Sequence, residues 1–93
     1  MASEAHSATP AGLNPGILWR VVGDEALLLD TTSGNYFSLD PIATEIWVML
    51  NNGDEADQIA SAVSERYSID AGRAQDDIAD LIKDLQDAGI WRW

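Results

Sequence analysis

The stretch Ala26-Leu27-Leu28-Leu29-Asp30-Thr31-Thr32-Ser33-Gly34-Asn35-Tyr36-Phe37-Ser38-Leu39-Asp40-Pro41 decides the fold. Ala26 to Leu29 reads as a strand. Thr31 to Asn35 reads as a turn in which Gly34 or Asn35 takes a positive φ. Tyr36 to Leu39 is the next strand, and alternation sends Phe37 and Leu39 to one face and Tyr36 and Ser38 to the other. Asp40-Pro41 opens a helix: a carboxylate caps the free N–H groups, and the proline ring presets φ at the first helical position. A strand that runs straight into a helix is expected to lie at a sheet border beside the helices. Its unpaired N–H and C=O groups can receive another chain there.

Upstream, Ile17-Leu18-Trp19-Arg20-Val21-Val22 is rich in β-branched and aromatic residues, and Gly23-Asp24-Glu25 reads as a turn, so this segment pairs with Ala26 to Leu29 as a hairpin. Downstream, Ile42, Ala43, Ile46, Trp47 and Leu50 form an apolar stripe at helical spacing, closed by Asn51-Asn52-Gly53. Asp54 is placed to cap a second helix with the stripe Ala56, Ile59, Ala60, Val63 and Tyr67. A third helix is expected from Ala71 to Ala88, with Ala74, Ile78, Leu81, Ile82 and Leu85 inward and Gly89 at its end. The tail Ile90-Trp91-Arg92-Trp93 must pack back on the bundle or fray. Strands first and helices after them mean an α+β fold, a three-stranded antiparallel sheet followed by a three-helix bundle.

Ninety-three residues make one domain. Residues 1–14 are small and polar, broken by Pro10 and Gly12, and are expected to form a disordered N-terminal arm, leaving 15–93 as the domain. That arm has no basic start and no long apolar centre, so it is not read as a signal peptide, and no apolar run reaches the ~20 residues of a membrane span. There is no Cys, which excludes disulfides and thiolate chemistry; a cytoplasmic protein is the default expectation. Sixteen acidic residues against five basic ones give a net charge of −11. Such a field repels nucleic-acid phosphates and anionic membranes, and it suits a neutral or cationic partner as well as plain solubility.

Catalysis has little to work with. The one His, His6, lies in the arm, so no triad is assembled. No glycine-rich phosphate cradle is present, and no cofactor or metal is expected. Asp76, Asp77, Asp80, Asp84 and Asp87 give the third helix an acidic face, at a cost of a few tenths of a kcal/mol per like-charged pair. That face reads as a solvated surface, a seat for a cationic peptide or, least readily, a metal site without calcium-loop spacing. Trp91 and Trp93 either seal the bundle or leave an apolar patch for assembly. A winged-helix DNA binder would need a basic recognition helix, and the third helix has only Arg73 and Lys83.

Gly23 to Asp30, then Gly34-Asn35-Tyr36-Phe37-Ser38-Leu39-Asp40, Ala43 to Trp47, Asn52-Gly53, Arg66-Tyr67, Leu81-Ile82-Lys83-Asp84-Leu85 and Gly89-Ile90 together resemble the PqqD-like family. The resemblance covers nearly everything from Ile17 to Trp91. It implies a RiPP recognition element: a small, winged-helix-like, non-catalytic domain that binds the leader segment of a ribosomally made precursor peptide and delivers it to processing enzymes. The short free-standing form looks most like the leader-binding protein of lasso-peptide clusters, whose partner is a leader peptidase; in the pyrroloquinoline quinone system the partner is a radical SAM enzyme. The resemblance also implies that the leader adds as a strand along Asn35, Tyr36, Phe37, Ser38 and Leu39. Backbone atoms of Tyr36, Phe37 and Ser38 would hold it, and Ala74, Asp77, Ile78, Asp80, Leu81 and Asp84 would line the other wall. A monomer is expected.

Overall fold

Three strands form first along the chain: β1 (Ile17–Val22), β2 (Glu25–Asp30) and β3 (Tyr36–Leu39). They make one antiparallel sheet in the order β1-β2-β3 in a computed structural model that describes residues 12–92. Gly23 takes a φ of 67° in the two-residue turn between β1 and β2, a conformation that a side chain would strain. Glu25, expected in that turn, is the first residue of β2. The longer turn into β3 is tied by Asp30, whose carboxylate accepts from Thr32 N at 2.9 Å and whose carbonyl accepts from Gly34 N at 2.8 Å.

The helices follow in order: α1 (Pro41–Asn51), α2 (Ala56–Tyr67) and α3 (Ala71–Asp87). Asp40 caps α1 as expected, accepting from Ala43 N at 2.8 Å. At α2 the cap is Glu55 rather than Asp54; Glu55 N donates to Gln58 Oε1 at 2.9 Å. Asp70 caps α3 through Gly72 N and Arg73 N. α2 packs between α1 and α3, and α1 lies against β2 and β3. The helical layer therefore covers one face of the sheet, where Ile17, Ala26 and Leu28 are buried.

The centre of the core is Trp47, fully buried and packed edge-to-face between Trp19 at 5.7 Å and Trp91 at 5.9 Å. Trp91 thus seals the bundle, which corrects the alternative of an exposed patch for assembly at that residue. Trp93 lies outside the described residues.

The inner end of the expected arm is also corrected. Leu13 is buried and bridges Trp91, Asn14 N donates to Ile90 O at 3.1 Å, and Arg92 N donates to Gly12 O at 2.6 Å. A Cβ at Gly12 would overlap the Trp91 indole, so only glycine fits there. The rest of the expected arm, residues 1–11 with His6, lies outside the described residues. No helix among the described residues is long and apolar enough to cross a membrane.

One polar residue sits inside this core. Thr44, in the second turn of α1, is buried and inserted between two strands: Ala26 N donates to its Oγ1 at 2.8 Å, and Oγ1 donates to Leu39 O at 3.1 Å. A helix side chain completes the last rung between β2 and β3.

Candidate functional site

β3 has β2 on one side and no strand on the other among the described residues. Which of its backbone groups point outward follows from the ladder. Asp30 N donates to Asn35 O at 2.8 Å, which makes Asp30 and Asn35 a hydrogen-bonded pair. Such pairs recur every second residue in an antiparallel ladder, so Phe37 opposite Leu28 and Leu39 opposite Ala26 also face β2. The Thr44 bridge from Ala26 N to Leu39 O has the same phase. Tyr36 and Ser38 are left with their N–H and C=O groups turned to the open side.

This phase sorts the expected strand residues. Asn35 is committed: its carbonyl faces Asp30 and its N–H donates to Ser33 Oγ at 3.2 Å. The expectation that the Phe37 backbone holds a guest is corrected, because its backbone groups face β2. The Phe37 and Leu39 side chains lie half-buried against the core, while Tyr36 and Ser38 are exposed on the other face.

The α3 residues expected to line the opposite wall differ in how far they reach the surface. Ala74 and Ile78 are fully buried, covered by the chain's own core, so their side chains do not form an exposed lining. Asp77 and Leu81 are half-buried, and Asp80 and Asp84 are exposed. At 100° per residue, Asp77, Leu81 and Asp84 occupy one flank of the buried line, and Gln75, Ala79 and Ile82 the other. The second flank faces α2, where Gln75, Ala79 and Ile82 join Ala56 and Asp57 around a shallow cavity of about 310 Å³. The acidic flank with Leu81 is turned away from α2. Among the described residues no group of His, Asp or Glu converges in a way that could hold a metal ion. A wider cavity of about 580 Å³ between α1 and α2 is lined by Val48, Met49 and the Arg66–Glu45 pair at 3.6 Å, in which Arg66 is exposed and Glu45 half-buried. Asn52 and Glu65 add to its polar lining.

The sequence reading did not single out Thr44 or the outer face of the sheet. Thr44 had a faint signal, a polar β-branched residue beside Ala43 in an apolar stripe. The outer face had a clearer one: three consecutive Leu in β2 cannot all point inward when alternate residues take opposite faces.

An arrangement of this kind offers a ladder, an apolar shelf and an acidic flank. The family model for coenzyme PQQ synthesis protein D (PqqD) matches residues 25–90, which spans β2 through the end of α3. The chain belongs to the PqqD family. Two solved structures resemble this PqqD-family chain closely. One, "TbiB1 in Complex with the TbiA(beta) Leader Peptide", is 26% identical with a TM-score of 0.82, over 87% of this chain and 94% of that one. The other, "Lasso peptide synthetase B1 complexed with the leader peptide", is 29% identical with a TM-score of 0.80, over 85% of this chain and 93% of that one. Comparison with curated proteins finds no match. The three-strand, three-helix order read from the residues, and implied again by the PqqD-like resemblance, is the order observed.

Proposed function

We propose that this chain is a non-catalytic RiPP recognition element that captures the leader segment of a precursor peptide as an added strand along β3. The observation that carries the reading is the open border of β3, where Tyr36 and Ser38 direct their backbone groups outward. Four ladder bonds to those two residues hold the leader, nearly blind to its sequence. Selectivity comes from the apolar shelf of Phe37, Leu39 and Leu81 and from the acidic flank of Asp77, Asp80 and Asp84; Asn35 shapes the entry, and Ala74 and Ile78 back the wall from inside the core. The two similar structures are complexes with leader peptides, and the family match supports the same role.

The bound leader is then presented to a separate processing enzyme, a leader peptidase of the lasso-peptide kind, by a monomer that works in the cytoplasm without a cofactor. The test is a titration of the isotope-labelled full chain with a synthetic leader from a precursor encoded beside it. Saturable amide shifts along β3 and the Asp77–Asp84 flank are expected. No shifts, or shifts confined to the far side of α2, contradict the proposal.

A further inference from the structure

The outer face of the sheet carries an apolar row that the proposed function leaves unused. Leu18 stands opposite Leu29, and Leu29 opposite Tyr36, so the three form one line across the sheet. They are 60%, 37% and 79% exposed. The line ends at the open border of β3, where Tyr36 has a neighbour on one side only. The next line is different: Arg20, Leu27 and Ser38, with a cation at one end and a small hydroxyl at the border.

We propose that the Leu18–Leu29–Tyr36 row is a second reading surface for the guest strand, one that takes a large apolar or aromatic side chain on the face opposite the groove. The inference rests on the reading that a guest adds along β3, and the phase of the ladder makes it specific. A guest residue facing Tyr36 sits in a hydrogen-bonded pair with it, about 5.5 Å away between Cα atoms, with its side chain on the same outer face. That side chain extends the row to four members. The adjacent guest residue, facing Phe37, points into the groove instead, and the one facing Ser38 meets a small polar neighbour. The guest therefore carries apolar residues at two adjacent positions, one inward and one outward, and tolerates a polar residue at the other outward position.

Other occupants fit the row less well. A second copy brings its own net charge of −11 against the same charge. Residues 1–11 offer only Met1 as a large apolar side chain.

The experiment selects binders from a random dodecapeptide display library on the full chain, and repeats the selection on Tyr36→Ser and Leu29→Ser. Both positions are on the exposed face, so the fold is retained. On the wild type, aligned binders are expected to enrich large apolar residues at inward positions two apart and at one position of odd offset. In Tyr36→Ser the odd-offset preference disappears while the inward ones persist, and a selected peptide loses up to about fivefold in affinity. A wild-type selection with no odd-offset preference, or a preference that survives both substitutions, overturns the inference while leaving the leader-binding reading intact. Sedimentation that shows a Leu29-dependent dimer without peptide assigns the row to a second copy and also overturns it. A library that yields no binder sensitive to Ser38→Pro removes the leader-binding reading, and this inference falls with it.

Discussion

The sheet has two borders, and they are held and equipped differently. β1 is anchored by packing: its Trp19 ring meets Trp47 edge-on at 5.7 Å. Its outward N–H groups, by the same alternation, belong to Ile17, Trp19 and Val21, and the first of these already donates to Asn14 O at 3.1 Å. β3 is anchored by polar bonds to α1, through the Asp40 cap and the Thr44 bridge. It joins the helical layer without a linker, and α1 lies against it. A guest on β1 finds a partly closed ladder, whereas a guest on β3 finds an open ladder beside an apolar shelf. An edge strand becomes a binding site when its backbone is free and its side chains are already fixed.

Substitutions at five positions break or sharpen this contrast. Trp47→Ala has the largest expected effect, about 3–5 kcal/mol of stability, because it opens a cavity at the anchor of β1 and strips the packing of Trp91 as well. Urea unfolding measures it; a loss below about 1 kcal/mol contradicts the central place given to that ring. Thr44→Val keeps the volume and removes the bridge, leaving Ala26 N without an acceptor in the core. A loss of about 1–3 kcal/mol is expected, with Thr44→Ser close to wild type. Faster exchange of the Ala26 amide is the accompanying signature, and equal behaviour of the two variants argues against the bridge.

The next pair compares the borders directly. Ser38→Pro and Val21→Pro each delete one outward N–H from an edge strand, where proline is tolerated. Ser38→Pro is expected to weaken the guest about tenfold or more, on the order of 1.4 kcal/mol, and Val21→Pro to leave it unchanged. Calorimetric titration that finds the reverse places the guest on β1. The smallest effect belongs to Asp80→Asn, which relieves repulsion with Asp76, Asp77 and Asp84 on α3. Stability should rise by roughly 0.2–0.5 kcal/mol per relieved pair in thermal unfolding, while the affinity of a basic guest rises less steeply than for the wild type as salt is lowered.

Much of this architecture is legible in the chain. The β-branched and aromatic residues of Ile17–Val22, the turn residues on either side of Ala26–Leu29 and the Asp40-Pro41 opening are local signals, and β1, β2 and α1 form within a residue or so of where they put them. What escaped depends on contacts that exist only once the chain has folded. Leu13 reads as part of a polar arm until Trp91 covers it from the other end of the chain. Ala74 and Ile78 lie on one helical stripe that serves equally as core or as groove lining, and only burial separates the two. The outward phase of Tyr36 and Ser38 turns on the bond from Asp30 N to Asn35 O, which no pattern of residue types specifies. Thr44 is illegible for the same reason: its two partners come from β2 and β3, and its role exists only once the sheet is folded against α1.

Hydrogen exchange resolved by residue, on the full chain with and without a saturating leader peptide, tests the central claim most directly. Strong new protection of the Tyr36 and Ser38 amides is predicted, with Phe37 and Leu39 changing little and Trp19 and Val21 not at all. Protection that appears along β1, or on Phe37 rather than its two neighbours, contradicts the account.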